Sequence, residues 1–215
     1  LLGLVAAEGS CGIYECESGS KASWAINNSE REVLEEAQEI MSSVFGIQTK
    51  IDDVMESSAT MKLRLDGNVD NASTVLGFRE MLYEGTEKRV PKEILQANNG
   101  AKRAFVAGYH TGDGHIAHDS KEFDEMWTKH KHLGAGVVYL LRQLGHKVTL
   151  SVRTEQKDEY YRIRVVSFHH GSNKEVKTIE ECTYDGDYVY DLETESHHFQ
   201  SSIGSMIVHN TDSVM

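Results

Sequence analysis

The feature that most restricts the folds open to this chain is a nine-residue pattern that occurs twice. Leu1-Leu2-Gly3-Leu4-Val5-Ala6-Ala7-Glu8-Gly9 returns, about half the chain later, as Val106-Ala107-Gly108-Tyr109-His110-Thr111-Gly112-Asp113-Gly114. Each copy begins with apolar and small residues, has glycine in third place, and ends on a carboxylate followed by glycine. Small residues on one helix face let two helix backbones approach closely, because no side chain holds them apart. The closing glycine suits a helix terminus.

The segments downstream of the two copies repeat as well. After Gly9, Gly12–Glu17 and Lys21–Asn27 read as a hairpin around Ser18-Gly19-Ser20. Ser29-Glu30-Arg31-Glu32 has the form of a capping box. Val33, Ala37, Ile40, Met41 and Val44 then recur at helical spacing until Gly46. Strands are expected around Gln48–Ile51 and Met61–Leu65. In the second half, Thr128 stands as far before Gly145 as Ser29 does before Gly46, with Leu133, Val137, Leu140, Leu141 and Leu144 on one helical face between them. Val148-Leu150-Val152 and Tyr161–Val165 alternate as strands on either side of Thr154–Glu159. The order helix, hairpin, helix, hairpin therefore occurs twice. A repeat this long suggests two αββαββ-like halves meeting on a pseudo-two-fold seam, in an α+β fold.

The two nine-residue segments resemble the paired motifs of LAGLIDADG homing endonucleases. The resemblance implies two motif helices packed at the centre of residues 1–165, with antiparallel sheets on either side forming a saddle over double-stranded DNA. By position it makes Glu8 and Asp113 the catalytic acids and the ligands of Mg2+. Carboxylate-held divalent cations stabilise charge on the attacking and leaving oxygens of a phosphodiester. Magnesium prefers oxygen ligands and retains waters. A β-ribbon fits the major groove. Lys62, Lys129, Arg162 and Arg164 fall on expected strands or their edges and are candidate DNA contacts.

The carboxyl-terminal stretch carries a second pattern. Tyr188–Glu195 is strand-like in its aromatic and β-branched content, Ser201–Ser205 reads as a turn, and Met206–Val208 as a short returning strand. Val189-Tyr190-Asp191-Leu192 with His197, then Ile207-Val208-His209-Asn210 followed by Thr211, resembles the C-terminal splicing motifs of inteins. That resemblance implies the C-terminal β-strands of a Hint splicing domain over 166–210. In it the Asn210 amide attacks its own carbonyl, an intramolecular step that gains a large effective concentration. His209 and His197 polarise the carbonyl and move protons. Thr211 accepts the upstream acyl group, and Asp191 orients that nucleophile. Residues 211–215, Thr211-Asp212-Ser213-Val214-Met215, resemble the second half of the Tyr-Gly-Asp-Thr-Asp-Ser motif of family B DNA polymerases. They would be the downstream extein, with Asp212 a metal ligand of the mature polymerase.

These resemblances cover nearly the whole chain. The amino-terminal Cys or Ser and the early Thr-x-x-His motif of inteins do not precede the first nine-residue segment. It is therefore expected to be the carboxyl-terminal fragment of a polymerase intein, whose partners include the missing amino-terminal splicing half and the polymerase exteins. Two alternatives stay open: the same architecture with a degenerate nuclease that only splices or binds DNA, and a DNA-binding regulator of this fold.

Composition fits this reading. The 215 residues are 39% hydrophobic with one proline, which argues against collagen-like and low-complexity classes. No apolar stretch approaches the roughly 20 residues of a membrane-spanning helix, so no membrane partner is expected. Cys11, Cys16 and Cys182 are too few and scattered for a disulfide framework, and reduced thiols in the cytoplasm or nucleus of a host are expected. The net charge of −12 is uneven. Residues 1–100 carry 9 basic and 17 acidic side chains, 101–165 carry 11 and 8, and 166–215 carry 2 and 9. Only the middle segment offers phosphates a favourable field, and a mild one.

Overall fold

A computed structural model describes residues 1–17, 19–53, 59–67, 71–115, 122–155, 158–166, 178–181, 183, 186–188, 191–201 and 206–210. The chain divides into two compact units, Leu1–Val166 and Ser167–Met215. Among the described residues no helix is long and apolar enough to cross a membrane.

The first unit contains the repeat. Its first copy runs α1 (Leu2–Glu8), β1 (Gly9–Cys16), β2 (Gly19–Asn28), α2 (Arg31–Phe45), β3 (Thr49–Asp53) and β4 (Met61–Leu65). A connecting segment comes next: α3 (Asn71–Leu82), β5 (Tyr83–Glu84), β6 (Glu87–Lys88) and α4 (Lys92–Gln96). The second copy runs α5 (Asn99–Asp113), β7 (Gly114–His115), β8 (Glu125–Thr128), α6 (Lys131–Gln143), β9 (Val148–Glu155) and β10 (Asp158–Val165). The two antiparallel sheets have the same order, β1-β2-β4-β3 and β7-β8-β10-β9. The double helix–hairpin order is therefore present. α3 and the β5–β6 hairpin lay outside the sequence expectation.

Alternation decides which sheet face is covered. In β4, Met61, Leu63 and Leu65 are buried while Lys62 and Arg64 are partly exposed; in β10, Ile163 and Val165 are buried and Arg164 is exposed. The buried faces meet α2 and α3 in the first half and α6 in the second. Trp24, Leu34, Met41, Phe78, Leu133 and Ile163 are almost fully enclosed there.

Helix termini refine the expectation. The box at Ser29 does not cap α2: the N-cap is Glu30, whose N–H donates to Asn28 Oδ1 at 2.7 Å. The same bond recurs where Thr128 Oγ1 accepts from the N–H of His130, the N-cap of α6 (3.0 Å), so Thr128 corresponds to Asn28 rather than Ser29. An oxygen two residues before the cap satisfies the same orphan donor in both halves.

α1 and α5 cross at the centre, backbone against backbone. A Cβ on Gly3 would lie 2.0 Å from Phe105 O and 2.7 Å from Tyr109 N, and one on Gly112 would lie 2.5 Å from Ala7 Cβ. The polar residues of the second motif leave this seam. Thr111 is exposed and donates to Ala107 O (3.0 Å), and His110 packs edge-on against Phe123. Gly3→Ala should therefore cost about 3 kcal/mol or more, because backbone on both sides must separate; a urea midpoint lowered at unchanged slope checks it. Gly9 and Gly114 are extended, with φ −83° and −93°, instead of left-handed caps. Glycine is needed there for space, since a Cβ would fall 2.4 Å from Val5 O or 2.2 Å from His110 O.

In the second unit, β11 (His198–Ser201) pairs with β12 (Met206–His209) as an antiparallel hairpin. The returning strand stands where expected, but its partner does not. The described residues of 188–195 form no strand, and Tyr188 and Leu192 are exposed, leaving no covered face to favour a ladder. A turn closed by His197 N–H to Thr194 O (2.9 Å), with His197 at φ 55°, starts the hairpin three residues later than Glu195.

Candidate functional site

The seam fixes one cluster. Glu8 ends α1 and Asp113 ends α5, so each acid leaves its helix where the two backbones are held together by glycine. Burial, then the charge of Asp113, pushes the Glu8 carboxyl above its usual range, against the pull of Lys88. Burial likewise raises Asp113, opposed by Lys88, the neighbouring Tyr109 hydroxyl and His130. The two acids thus share a partly dehydrated space with more negative charge than their surroundings neutralise.

Lys88 enters from the connecting hairpin and is only 8% exposed. Its ammonium donates to the carbonyls of Ala6 (2.9 Å), Ala7 (3.0 Å) and Gly9 (2.8 Å). It therefore satisfies the C-terminal carbonyls of α1, groups that a helix leaves without internal donors. Burial holds the Lys88 ammonium below lysine's ordinary pKa, opposed first by Asp113. Around Asp113, Tyr109 is fully buried and its hydroxyl donates to Trp127 O at 2.7 Å. The His130 ring lies 3.3 Å from Glu87 Oε2. Neither Lys88 nor His130 was foreseen as a site residue. Nothing local marks a lysine in a short hairpin as buried. Tyr109 could have been found, since it stands in the second motif as a large polar-tipped residue beside glycine.

Of the proposed DNA contacts, Lys62, Arg162 and Arg164 stand on the uncovered sheet faces, and Lys129 adjoins His130. Lys62 on β4 stands opposite Asn27 and Asp52. Lys129, just after β8, pairs with Asp158 (2.9 Å) and lies 5.0 Å from the Tyr160 ring centre. Arg162 and Arg164 on β10 both reach Glu125, at 2.5 Å and 3.4 Å. All four are therefore on or beside a sheet, and three of them are engaged by carboxylates of this same chain.

The second unit holds a separate cluster. Asn210 donates its backbone N–H to His197 O (2.7 Å) and its side-chain Nδ2–H to Leu192 O (3.0 Å). His209 Nδ1 contacts the Asn210 carbonyl oxygen. A carbonyl only accepts, so this nitrogen must carry the proton. The His197 ring stacks on His209 with centroids 5.9 Å apart, and His198, which sequence reasoning passed over, packs edge-on at 4.8 Å. The His197-His198 pair was the available signal. Asp191 is engaged locally, its carboxylate accepting from Leu192 N–H (2.8 Å). Thr211 lies outside the described residues, as do Val189, Tyr190 and Asp212. Of the cysteines, Cys11 is buried and free and Cys16 exposed and free, while Cys182 lies outside the described residues.

Comparison with known proteins bears on the first unit most directly. Residues 100–171 match the LAGLIDADG-like domain. Its fold resembles the homing endonuclease I-DmoI in complex with DNA and Mn, with a TM-score of 0.58 at 18% identity over 77% of this chain and 86% of that one. I-DmoI in complex with DNA and Ca gives the same TM-score and identity, over 77% and 80%. The DNA polymerase of Acanthamoeba polyphaga mimivirus is 36% identical over 224 residues, 99% of this chain and 12% of that protein. The DNA polymerase of Thermococcus litoralis is 30% identical over 152 residues, 67% and 8% respectively. The chain thus spans about a tenth of these polymerases, and the LAGLIDADG-like match covers nearly all of the second copy of its repeat and extends past its last strand.

Proposed function

We propose that this chain belongs to an intein of a DNA polymerase, in which a homing endonuclease (1–165) precedes the carboxyl-terminal strands of a Hint splicing domain (166–210) and the start of the downstream extein (211–215). The nuclease would cleave double-stranded DNA of the intein-free polymerase gene. The splicing part would release the polymerase segment at Asn210. The observation that carries the reading is one carboxylate at the end of each of two helices held together by glycine, in a chain whose relatives are named DNA polymerases.

The donor set fits a hard divalent cation. Glu8 and Asp113 offer oxygen only, and burial holds both above their usual pKa range, a penalty that a bound cation would offset. Among the described residues no group of three or more His, Cys, Asp and Glu could hold a metal, so waters and phosphate oxygens would complete the shell, as magnesium prefers. The cation, when bound, supplies Lewis-acid stabilisation of the phosphodiester. The protein's own part is to fix the two carboxylates, with Lys88 holding the end of α1 and Tyr109 beside Asp113. Lys62, Lys129, Arg162 and Arg164 would meet the DNA from the sheets.

In the splicing part, Asn210 Nδ2 attacks the Asn210 carbonyl carbon and closes a succinimide. The peptide bond to Thr211 breaks, and the proton lost by Nδ2 leaves on the new amine. The His209 Nδ1–H at the carbonyl oxygen would stabilise the developing negative charge. The contact of Nδ2 with Leu192 O supports a held amide. His197, stacked on His209, is assigned to proton transfer, Thr211 to accepting the upstream acyl group, and Asp191 to orienting it.

Two incubations test this. With magnesium and a plasmid carrying the uninterrupted polymerase gene, a double-strand break at the insertion site is expected; no break, with Glu8→Gln behaving identically, would favour a degenerate nuclease that only binds DNA or splices. With the missing amino-terminal splicing half supplied, mass spectrometry should show loss of the Thr211–Met215 peptide. Asn210→Ala should abolish that loss, and His209→Ala should slow it on the order of 10²-fold or more.

A further inference from the structure

On each uncovered sheet face one carboxylate already engages two cations. On the first sheet, Asp52 of β3 accepts from Arg64 Nε and lies 3.4 Å from Lys50 Nζ. On the second, Glu125 of β8 takes Arg162 Nη2 (2.5 Å), Arg164 Nε (3.4 Å) and Trp127 Nε1 (2.7 Å). Glu125 is the better enclosed, its side chain 13% exposed beside Arg162 at 23%. Arg153 and Arg162 also lie 5.4 Å and 5.3 Å from the Trp127 ring centre, so the indole gathers cations around Glu125.

β3 and β8 are not equivalent strands of the repeat: β3 corresponds to β9, and β8 to β2. Each half has therefore arrived at one carboxylate binding two cations from a different position. Duplication alone does not produce that. Neither carboxylate completes a core, because both stand on the face turned from the apolar layer.

A guanidinium that binds a carboxylate through its N–H edge presents the same donors a phosphate or a guanine edge would use. With the carboxylate in place, a phosphate gains the cation only by displacing a short, geometrically matched partner. In a chain of net charge −12, little long-range field remains to attract duplex DNA of arbitrary sequence. We propose that Asp52 and Glu125 are specificity-determining counter-ions, which hold the DNA-facing cations in reserve and suppress sequence-independent binding. This rests on the DNA-binding reading above. Specificity is a difference of affinities, and an internal competitor lowers the affinity for the wrong duplex most, since the right one brings further contacts.

The test is fluorescence anisotropy on the full chain across a salt series, in calcium, with a duplex spanning the intein-free insertion site and one of unrelated sequence. Glu125→Gln removes the charge and keeps one acceptor oxygen, enough for Trp127 or for the arginines but not both; Asp52→Asn likewise removes the charge and keeps one acceptor on the other sheet. Each should tighten binding to the unrelated duplex several-fold. Each should also steepen the slope of log K against log salt by about 1, since each phosphate neutralised contributes about 0.9. The ratio between the two duplexes should fall, and Glu125→Asp should retain the parent ratio. A thermal melt of each variant establishes folding, and Asp52→Asn carries the test if Glu125→Gln unfolds. Unchanged slope and affinity in the folded variants would overturn the counter-ion role alone. Binding of neither duplex by the parent chain would overturn the DNA-binding reading and this inference with it.

Discussion

Lys88→Met is expected to destabilise the first unit by about 3–5 kcal/mol, the magnitude associated with removing one partner of a buried charged group. The carbonyls of Ala6, Ala7 and Gly9 lose the ammonium that donates to them at the end of α1, and each buried acceptor left unmade costs about 1–3 kcal/mol before relaxation. Glu8 and Asp113 also lose the cation that draws both their pKa values down. Methionine approximates the volume of lysine, so the loss is one of hydrogen bonds and charge rather than packing. Against a total stability of roughly 5–15 kcal/mol, this brings the fold near its threshold. Lys88→Arg should rescue it poorly, since a planar fork does not converge on three carbonyls as an ammonium does. Urea denaturation is the measurement. A loss under about 1 kcal/mol would mean that water replaces the ammonium, and that the site is wetter than its 8% exposure implies.

Glu8→Gln and Asp113→Asn should each abolish DNA cleavage and raise stability. Loss of a carboxylate that holds a divalent ion removes several kcal/mol of transition-state stabilisation, on the order of a thousand-fold or more in rate. The stability change has the opposite sign. Both carboxyls have folded pKa values above their ordinary 4.5 and 3.8, so ionising them opposes folding. That penalty is complete above the folded values and disappears as pH falls below the ordinary ones. The variants should therefore melt a few degrees above the parent at neutral pH in chelator, and the gap should close toward pH 3. Adding magnesium should raise the parent's melting temperature more than the variants'. A gap independent of pH would show that the gain comes from packing instead of charge.

Much of the first unit could be read along the chain. Glycine at the third and last motif positions, apolar residues at helical spacing before Gly46 and Gly145, and alternation in Met61–Leu65 and Tyr161–Val165 are all contiguous signals. The connecting segment was harder. α3 is held by burial of Val75, Phe78 and Leu82 against strands β1 and β2, with Phe78 5.4 Å from Trp24, and it lacks the strong amphipathic stripe of α2. Tyr188–Glu195 misled in the other direction, because strand propensity describes how a residue fits a covered sheet, and Tyr188 and Leu192 are exposed. His197 and Asn210 were identifiable as residue types. Their contacts were not, since Asn210 Nδ2 and Leu192 O stand 18 residues apart.

The sequence by itself determined the doubled architecture and the place of Glu8 and Asp113 at the ends of the paired helices, because helix approach requires small residues at fixed spacing and the acid follows them directly. Only the tertiary structure decided what surrounds those acids. Lys88 reaches Ala6 from 82 residues away, Arg162 finds Glu125 across 37, and Arg64 finds Asp52 across 12. A charged side chain carries the same local pattern whether it will lie in water, under a helix end or against a carboxylate. Its free energy depends on which distant groups replace its hydration, and folding alone brings those together.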